Sequence, residues 1–184
     1  MLIIFIYIAI NAFMIENNYI DNLFDFSLKH LNLFRTITRI GDWYVLIFFT
    51  ILSGIFFGKK YFKYVSINLA TITFINQMLK IILRRSRPIN NLNIFGYSFP
   101  SGHAMVSMAY YGFIIYLILK ANIKNKYKIA SIIILSLIIF LIGFSRIYLG
   151  VHYLTDILGG FTLSILYLAI YTYIIERKNL LNEN

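Results

Sequence analysis

Ser145-Arg146-Ile147-Tyr148-Leu149-Gly150-Val151-His152-Tyr153-Leu154-Thr155-Asp156 lies between two long apolar runs. Within a dozen residues it sets an arginine, a histidine and a carboxylate in greasy surroundings. His152 and Asp156 are four apart, so on a helix they share a face. A carboxylate that reaches an imidazole fixes its tautomer and raises its nucleophilicity. Arg146 supplies a planar cation suited to phosphate or carboxylate. An Arg–Asp ion pair beside an interfacial histidine would account for the same residues. The flanking runs place the stretch at the mouth of a helical membrane bundle, and its side chains suit an anion.

Composition supports the bundle. The chain of 184 residues is 60% hydrophobic, 18% aromatic and only 13% charged, with a mean hydropathy of +0.75. That is too apolar for a soluble domain and predicts one integral membrane domain over 1–184. There is no cysteine, which excludes disulfides and thiolate metal sites. The formal charge of +10 fits positive loops beside anionic lipid. No basic face lies outside the apolar runs, so nucleic acid is not an expected partner.

Working outward, the expected fold is all-α: six transmembrane helices, with an interfacial helix between spans one and two. Met1–Ile15 is apolar apart from Asn11 and has neither a basic start nor a cleavage site, so it reads as a short membrane helix. In the mixed segment Glu16–Asp42, Phe24, Leu28, Leu31, Phe34 and Ile37 recur at helical spacing, which predicts the interfacial helix. Asp42 is placed to cap span two, and Trp43 and Tyr44 to anchor it in the interface. Spans two to six are expected at Trp43–Phe57, Tyr61–Leu83, Ser101–Leu119, Ile129–Phe144 and His152–Ile175. Asn68, Thr71, Asn76 and Gln77 form a polar stripe on span three. Small residues from Gly102 to Gly112 allow close helix approach on span four.

Alternating spans put the end of span three, the start of four, the end of five and the start of six on one side. His103 and His152, and every arginine but Arg177, fall there. Eight lysines lie on the opposite side and two, Lys29 and Lys80, on this one. The lysine loops are therefore expected in the cytoplasm and the histidine–arginine side outside.

Two further clusters share that side. Lys80 stands near the end of an apolar helix, where an ionised side chain either snorkels or serves a site. Arg84 and Arg87 follow at four and seven, on the same face if the helix continues. An ordinary charged flank explains Arg84 and Arg85 best. Pro100-Ser101-Gly102-His103 places a proline just inside a helix start, leaving free N–H groups and the helix dipole to meet an anion. Ser101 adds a hydroxyl, Gly102 admits close approach, and His103 is within reach of what binds. A helix cap followed by an interfacial histidine would look the same.

Together the clusters resemble the signature of the membrane type-2 phosphatidic acid phosphatase (PAP2) superfamily, K-x6-R-P, P-S-G-H and S-R-x5-H-x3-D. The matching residues are Lys80, Arg87-Pro88, Pro100-Ser101-Gly102-His103, Ser145-Arg146, His152 and Asp156, without a departure. The resemblance implies a lipid phosphatase in which His152 attacks phosphorus and forms a phosphohistidine. Asp156 would orient His152, and His103 would be general acid and then base. Lys80, Arg87, Ser101, Gly102 and Arg146 would hold the phosphate oxygens. It implies no cofactor and no metal. Two histidines in opposite protonation states, both ordinarily near 6.5, predict a bell-shaped pH dependence.

The implied partners are the bilayer and a lipid phosphate. The compact chain resembles bacterial members acting on undecaprenyl diphosphate, phosphatidylglycerol phosphate or related lipids such as phosphatidic acid. An outward site in the cell membrane favours the carrier diphosphate. Oligomeric state is not legible. A protein that captures anionic lipid without hydrolysis would need the Lys/Arg set but not His103, His152 and Asp156 together. Vanadate-dependent haloperoxidases share the signature but are soluble.

Overall fold

A chain in lipid must satisfy its own backbone, so the long apolar runs fold as helices. The computed structural model describes Ile3, Tyr7, residues 31–88, residues 94–178 and Leu180. Its helices are α1 (Leu31–Arg39), α2 (Trp43–Phe57), α3 (Lys59–Leu83), α4 (Gly102–Lys120), α5 (Asn125–Tyr148) and α6 (Leu154–Arg177). The described residues contain no strand. Five stretches are long and apolar enough to cross a membrane: 31–57, taken together, and α3 to α6. The expected first span falls outside the described residues apart from Ile3 and Tyr7, as do Phe24, Leu28 and His30. The expected interfacial helix is represented only by α1, which packs against α5. There Phe34 stacks on Tyr148 at 3.8 Å between ring centroids.

Helix α4 is the central element, packed by α3, α5 and α6. Its Tyr110, Tyr111 and Phe113 form the core with Leu46 of α2, Val65 of α3, Ile142 of α5 and Ile175 of α6. Large apolar side chains such as Ile55, Phe56, Ile133 and Phe140 face outward, as lipid requires. Polar side chains tie the helices through backbone oxygens. Ser164 donates to Met105 O at 2.6 Å and Tyr171 to Tyr64 O at 2.7 Å. Asn76, from the polar stripe of α3, donates to Pro100 O at 3.2 Å and so holds the approach to α4.

Several expected boundaries move, each for a local reason. α3 begins at Lys59, because only Gly58, at φ +93°, separates it from α2. α3 ends at Leu83, with Arg84 left-handed and its N–H donating to Lys80 O. Arg84 and Arg87 therefore do not continue the face of Lys80. α4 starts at Gly102, not Ser101, and Pro100 stands before the helix rather than inside it. α5 runs to Tyr148, so Ser145 and Arg146 are helical instead of part of a connection. α6 starts at Leu154, which leaves His152 ahead of it.

Candidate active site

The site gathers at the end of the bundle where α3 stops, α4 and α6 start and α5 ends. Backbone bonds join these termini: Ser101 N–H donates to Asp156 O at 3.1 Å, and Ser98 N–H to Arg85 O at 2.9 Å. Glycines of α6 bring it close. A Cβ on Gly159 would stand 2.5 Å from the buried ring of Phe99, and one on Gly160 3.2 Å from Ser101 O and Met105 N.

His152 lies in the turn before α6, and Asp156 in the first turn of that helix. Their contact is not the helix-face pairing expected from the spacing. Asp156 folds back over the N-terminus, its Oδ2 accepting from Tyr153 N–H at 2.9 Å and lying 3.2 Å from His152 Nδ1. On the other ring edge, Arg87 Nη1 is 3.1 Å from His152 Nε2. A guanidinium only donates, so Nε2 carries the lone pair and Nδ1 carries the hydrogen given to Asp156. That tautomer leaves the Nε2 lone pair on the side of Arg87. Burial lowers the His152 pKa to about 3, against the hydrogen bond and charge of Asp156, while Arg146 and Lys80 push it further down. The imidazole is neutral at neutral pH.

Arg87 reaches the site by a loop and not along a helix. Its Nη1 also donates to Val151 O at 2.8 Å and its Nε to Gly96 O at 3.0 Å, with Gly96 at φ +90°. Lys80 extends from α3 to Tyr97 O at 2.6 Å and Ser98 O at 3.2 Å. Arg146 is buried at the end of α5 and donates from Nη1 to Thr38 Oγ1 of α1 at 3.0 Å. Its Nε and the Ser101 hydroxyl are buried without a hydrogen-bond partner among the described residues. The first N–H groups of α4, at Gly102, His103 and Ala104, lie at a helix start that lacks intrahelical acceptors.

His103, in the first turn of α4, pairs with a different carboxylate from His152. Its Nε2 is 2.9 Å from Asp42 Oδ1, whose other oxygen accepts from Tyr44 OH at 2.7 Å. Asp42 does sit at the start of α2, but its side chain makes no cap. A groove of about 670 Å³ opens beside the pair, bounded by Asp42, Gly102 and His103 at one end and by Leu46, Phe62 and Leu69 along its walls.

Two residues escape the sequence reading. Arg85, taken there for a charged flank, donates from Nη1 to Asp156 Oδ1 at 2.6 Å and to Thr155 Oγ1 at 2.8 Å. Its guanidinium lies 4.2 Å over the Tyr153 ring. It holds the carboxylate that orients His152. Asp42 is the other. Its distance of 61 residues from His103 gives no local signal, and an aspartate before a helix reads as a cap. Among the described residues, no group of three His, Asp or Glu side chains is arranged to hold a metal.

Comparison with known proteins agrees with this architecture. Residues 44–180 match the PAP2 superfamily. Phosphatidylglycerophosphatase B of Bacillus subtilis (strain 168) is 38% identical over 119 residues, an alignment that takes in 62% of this chain and 59% of that protein. The crystal structure of a transmembrane PAP2 type phosphatidylglycerolphosphate phosphatase from Bacillus subtilis superposes with a TM-score of 0.72 at 28% identity, covering 96% of this chain and 86% of that one. Aquifex aeolicus LpxE superposes with a TM-score of 0.60 at 26% identity, over 84% of this chain and 91% of its own.

Proposed function

The chain belongs to the PAP2 superfamily, and from that premise we propose that it is a membrane lipid phosphatase working through a phosphohistidine on His152. The observation that carries the reading is the set of like charges around a neutral imidazole. Lys80 and Arg146 act on the charge of His152, Arg87 touches its Nε2, and Arg87 and Arg146 repel each other. Three cations crowded together at a buried site are costly unless an anion joins them. A phosphoryl group would be that anion, taking its oxygens to these cations, to the Ser101 hydroxyl and to the start of α4.

In this mechanism the Nε2 lone pair of His152 displaces a lipid oxygen from phosphorus. The hydrogen on Nδ1 stays on the ring and keeps donating to Asp156, which stabilises the imidazolium as it forms. His103 protonates the leaving oxygen, then takes a proton from the water that releases phosphate. The cation set supplies the positive field that a metal supplies in other phosphatases, so the reaction is proposed to be metal-independent.

The groove beside His103 suits a lipid leaving group, because it is walled largely by apolar side chains and begins at the general acid. The names of the relatives put phosphatidylglycerol phosphate first among candidate substrates, and an outward-facing site would also suit undecaprenyl diphosphate. The test is phosphate release by detergent-purified protein over a panel of these lipids and phosphatidic acid, with and without a chelator. His152→Ala is expected to lower release by at least about a thousandfold while the protein stays membrane-inserted. Retained activity in that variant removes the nucleophile assignment. Lipid binding without any release by the unaltered protein points instead to a capture protein.

A further inference from the structure

Asp42 belongs to none of the three motif clusters, yet among the described residues it is the hydrogen-bond partner of the His103 ring. The carboxylate is held at both oxygens, by His103 Nε2 at 2.9 Å and by the Tyr44 hydroxyl at 2.7 Å. It is turned away from the N–H groups of α2 that an aspartate at this position ordinarily caps. Both partners line the mouth of the groove, and each side chain is about a quarter exposed (25% and 24%). The pair therefore stands where a leaving group enters and is not sealed in the core.

We propose that Asp42 is a positioning residue for proton transfer: it fixes His103 through Nε2, so that Nδ1 delivers the proton to the lipid leaving oxygen. The inference rests on the phosphatase reading above. In the first step the His152 Nε2–P bond forms and the P–O(lipid) bond breaks. The bonding pair goes to the lipid oxygen, which takes the proton from His103 Nδ1. In the second step water attacks phosphorus, its proton goes to His103 Nδ1, and the N–P bond breaks with its electron pair returning to His152. Asp42 stays ionised throughout and keeps the hydrogen on Nε2.

The charges around His103 show why a carboxylate belongs there. Arg146 of α5 and Arg87 of the loop after α3 both oppose a cationic imidazole electrostatically. Asp42, braced by the neutral Tyr44 hydroxyl, is the anion that faces it. Without Asp42 the acid would sit in a purely cationic setting and lose its proton at lower pH.

Asp42→Asn keeps the shape and removes the charge. The measurement is kcat/KM, which reports the steps through phosphoryl transfer to His152, on an alkyl lipid phosphate and on nitrophenyl phosphate. The nitrophenolate departs without needing a proton. Asp42→Asn is expected to lower kcat/KM on the alkyl ester by about ten- to a hundredfold, with a loss on the aryl ester at least about fivefold smaller. The alkaline limb for the alkyl ester should move down by about one pH unit, Asp42→Glu should recover part of the rate, and Asp42→Asn should add nothing in a His103→Ala background. Equal losses on both esters, or an unmoved alkaline limb, would make Asp42 a structural residue and overturn the proposal. If Asp42→Asn does not survive purification, Tyr44→Phe loosens the carboxylate while leaving its charge. It should shift the alkyl-to-aryl ratio in the same direction, and an unchanged ratio overturns the proposal equally. Unaltered protein that releases phosphate from neither ester would fail the phosphatase reading itself and this inference with it.

Discussion

At the scale of single residues, the site turns on how one imidazole is held. His152 has a donor-only guanidinium on one edge and a carboxylate on the other, which fixes its tautomer without any ligand present. Burial takes its pKa down to about 3, so the sequence expectation of two histidines titrating near 6.5 does not hold for this one. The consequence has a definite sign. In the proposed mechanism His152 must be neutral and loses activity as it protonates, so the acid limb of kcat/KM should lie well below 6.5, while the alkaline limb would report His103 losing its proton. A profile from about pH 4 to about pH 9 checks this, and an acid midpoint near 6.5 would contradict the buried His152. The same shift acts on stability. Between about 6.5 and about 3 the unfolded chain binds a proton that the native His152 refuses, so this contribution is complete above 6.5 and declines as pH falls through that window. Arg85 gives a second prediction. Asp156 is fully buried and Arg85 is its counter-cation. Arg85→Ala should destabilise the protein by about 3 kcal/mol and lower turnover, with Arg85→Lys recovering part of both. Thermal unfolding in detergent and phosphate release measure the two effects.

At the scale of elements, the site depends on how closely α6 approaches the loop before α4. Gly159 faces Phe99, whose ring is completely buried, and an added Cβ would stand 2.5 and 2.6 Å from two ring atoms. Contacts this short force the ring or the helix to shift. Gly159→Ala should therefore cost about 1–3 kcal/mol and push Asp156 away from Ser101, whose N–H it binds through its carbonyl. Gly58→Ala makes a control: its φ of +93° is strained for alanine, but nothing lies within 4 Å of the added carbon. It should leave turnover intact, whereas Gly159→Ala should lower it. These elements also show what sequence can convey. Trp43–Phe57 is helical over the range its apolar run predicts. Within each motif cluster the residues lie close along the chain, and Lys80, His103, Arg146, His152 and Asp156 stand out as polar groups at the ends of apolar runs. Helix ends are less legible because tertiary contacts decide them. α5 continues through Arg146 because the guanidinium buries itself against Thr38 of α1, and α6 waits until Leu154 because Asp156 binds the N–H of Tyr153. Asp42 and Arg85 are hidden for a related reason. Each has an ordinary local meaning, as cap or flank, that a partner 61 or 71 residues away overrides.

At the scale of the whole molecule, the two ends of the bundle differ in chemistry. One end carries the arginines and histidines of the site, joined by Arg87 to Val151 O and Ser101 N–H to Asp156 O. At the other end α3 begins with Lys59 and Lys60, and Lys120 pairs with Glu176 at 2.6 Å. Lysine loops are retained in the cytoplasm during insertion, so the site end should face outward. Counted together, lysines and arginines divide nine to eight in favour of the lysine end, and nine to five once Lys80, Arg87 and Arg146 are set aside as site residues. Of these three, Arg146 is buried within the site. The chain has no cysteine, which makes the question directly measurable. Phe95→Cys introduces a single thiol at an exposed position in the loop between α3 and α4, where the side chain is 91% exposed. Lys124→Cys introduces one at an exposed position between α4 and α5. On intact cells a membrane-impermeant maleimide should label Phe95→Cys and leave Lys124→Cys unmodified until the cells are opened. The reverse pattern would place the site in the cytoplasm. It would then favour lipids presented on the inner leaflet, phosphatidylglycerol phosphate among them, over a carrier diphosphate released outside. Orientation and substrate class are thus coupled through one labelling experiment, because a headgroup reaches His152 only from the leaflet on which this end of the bundle opens.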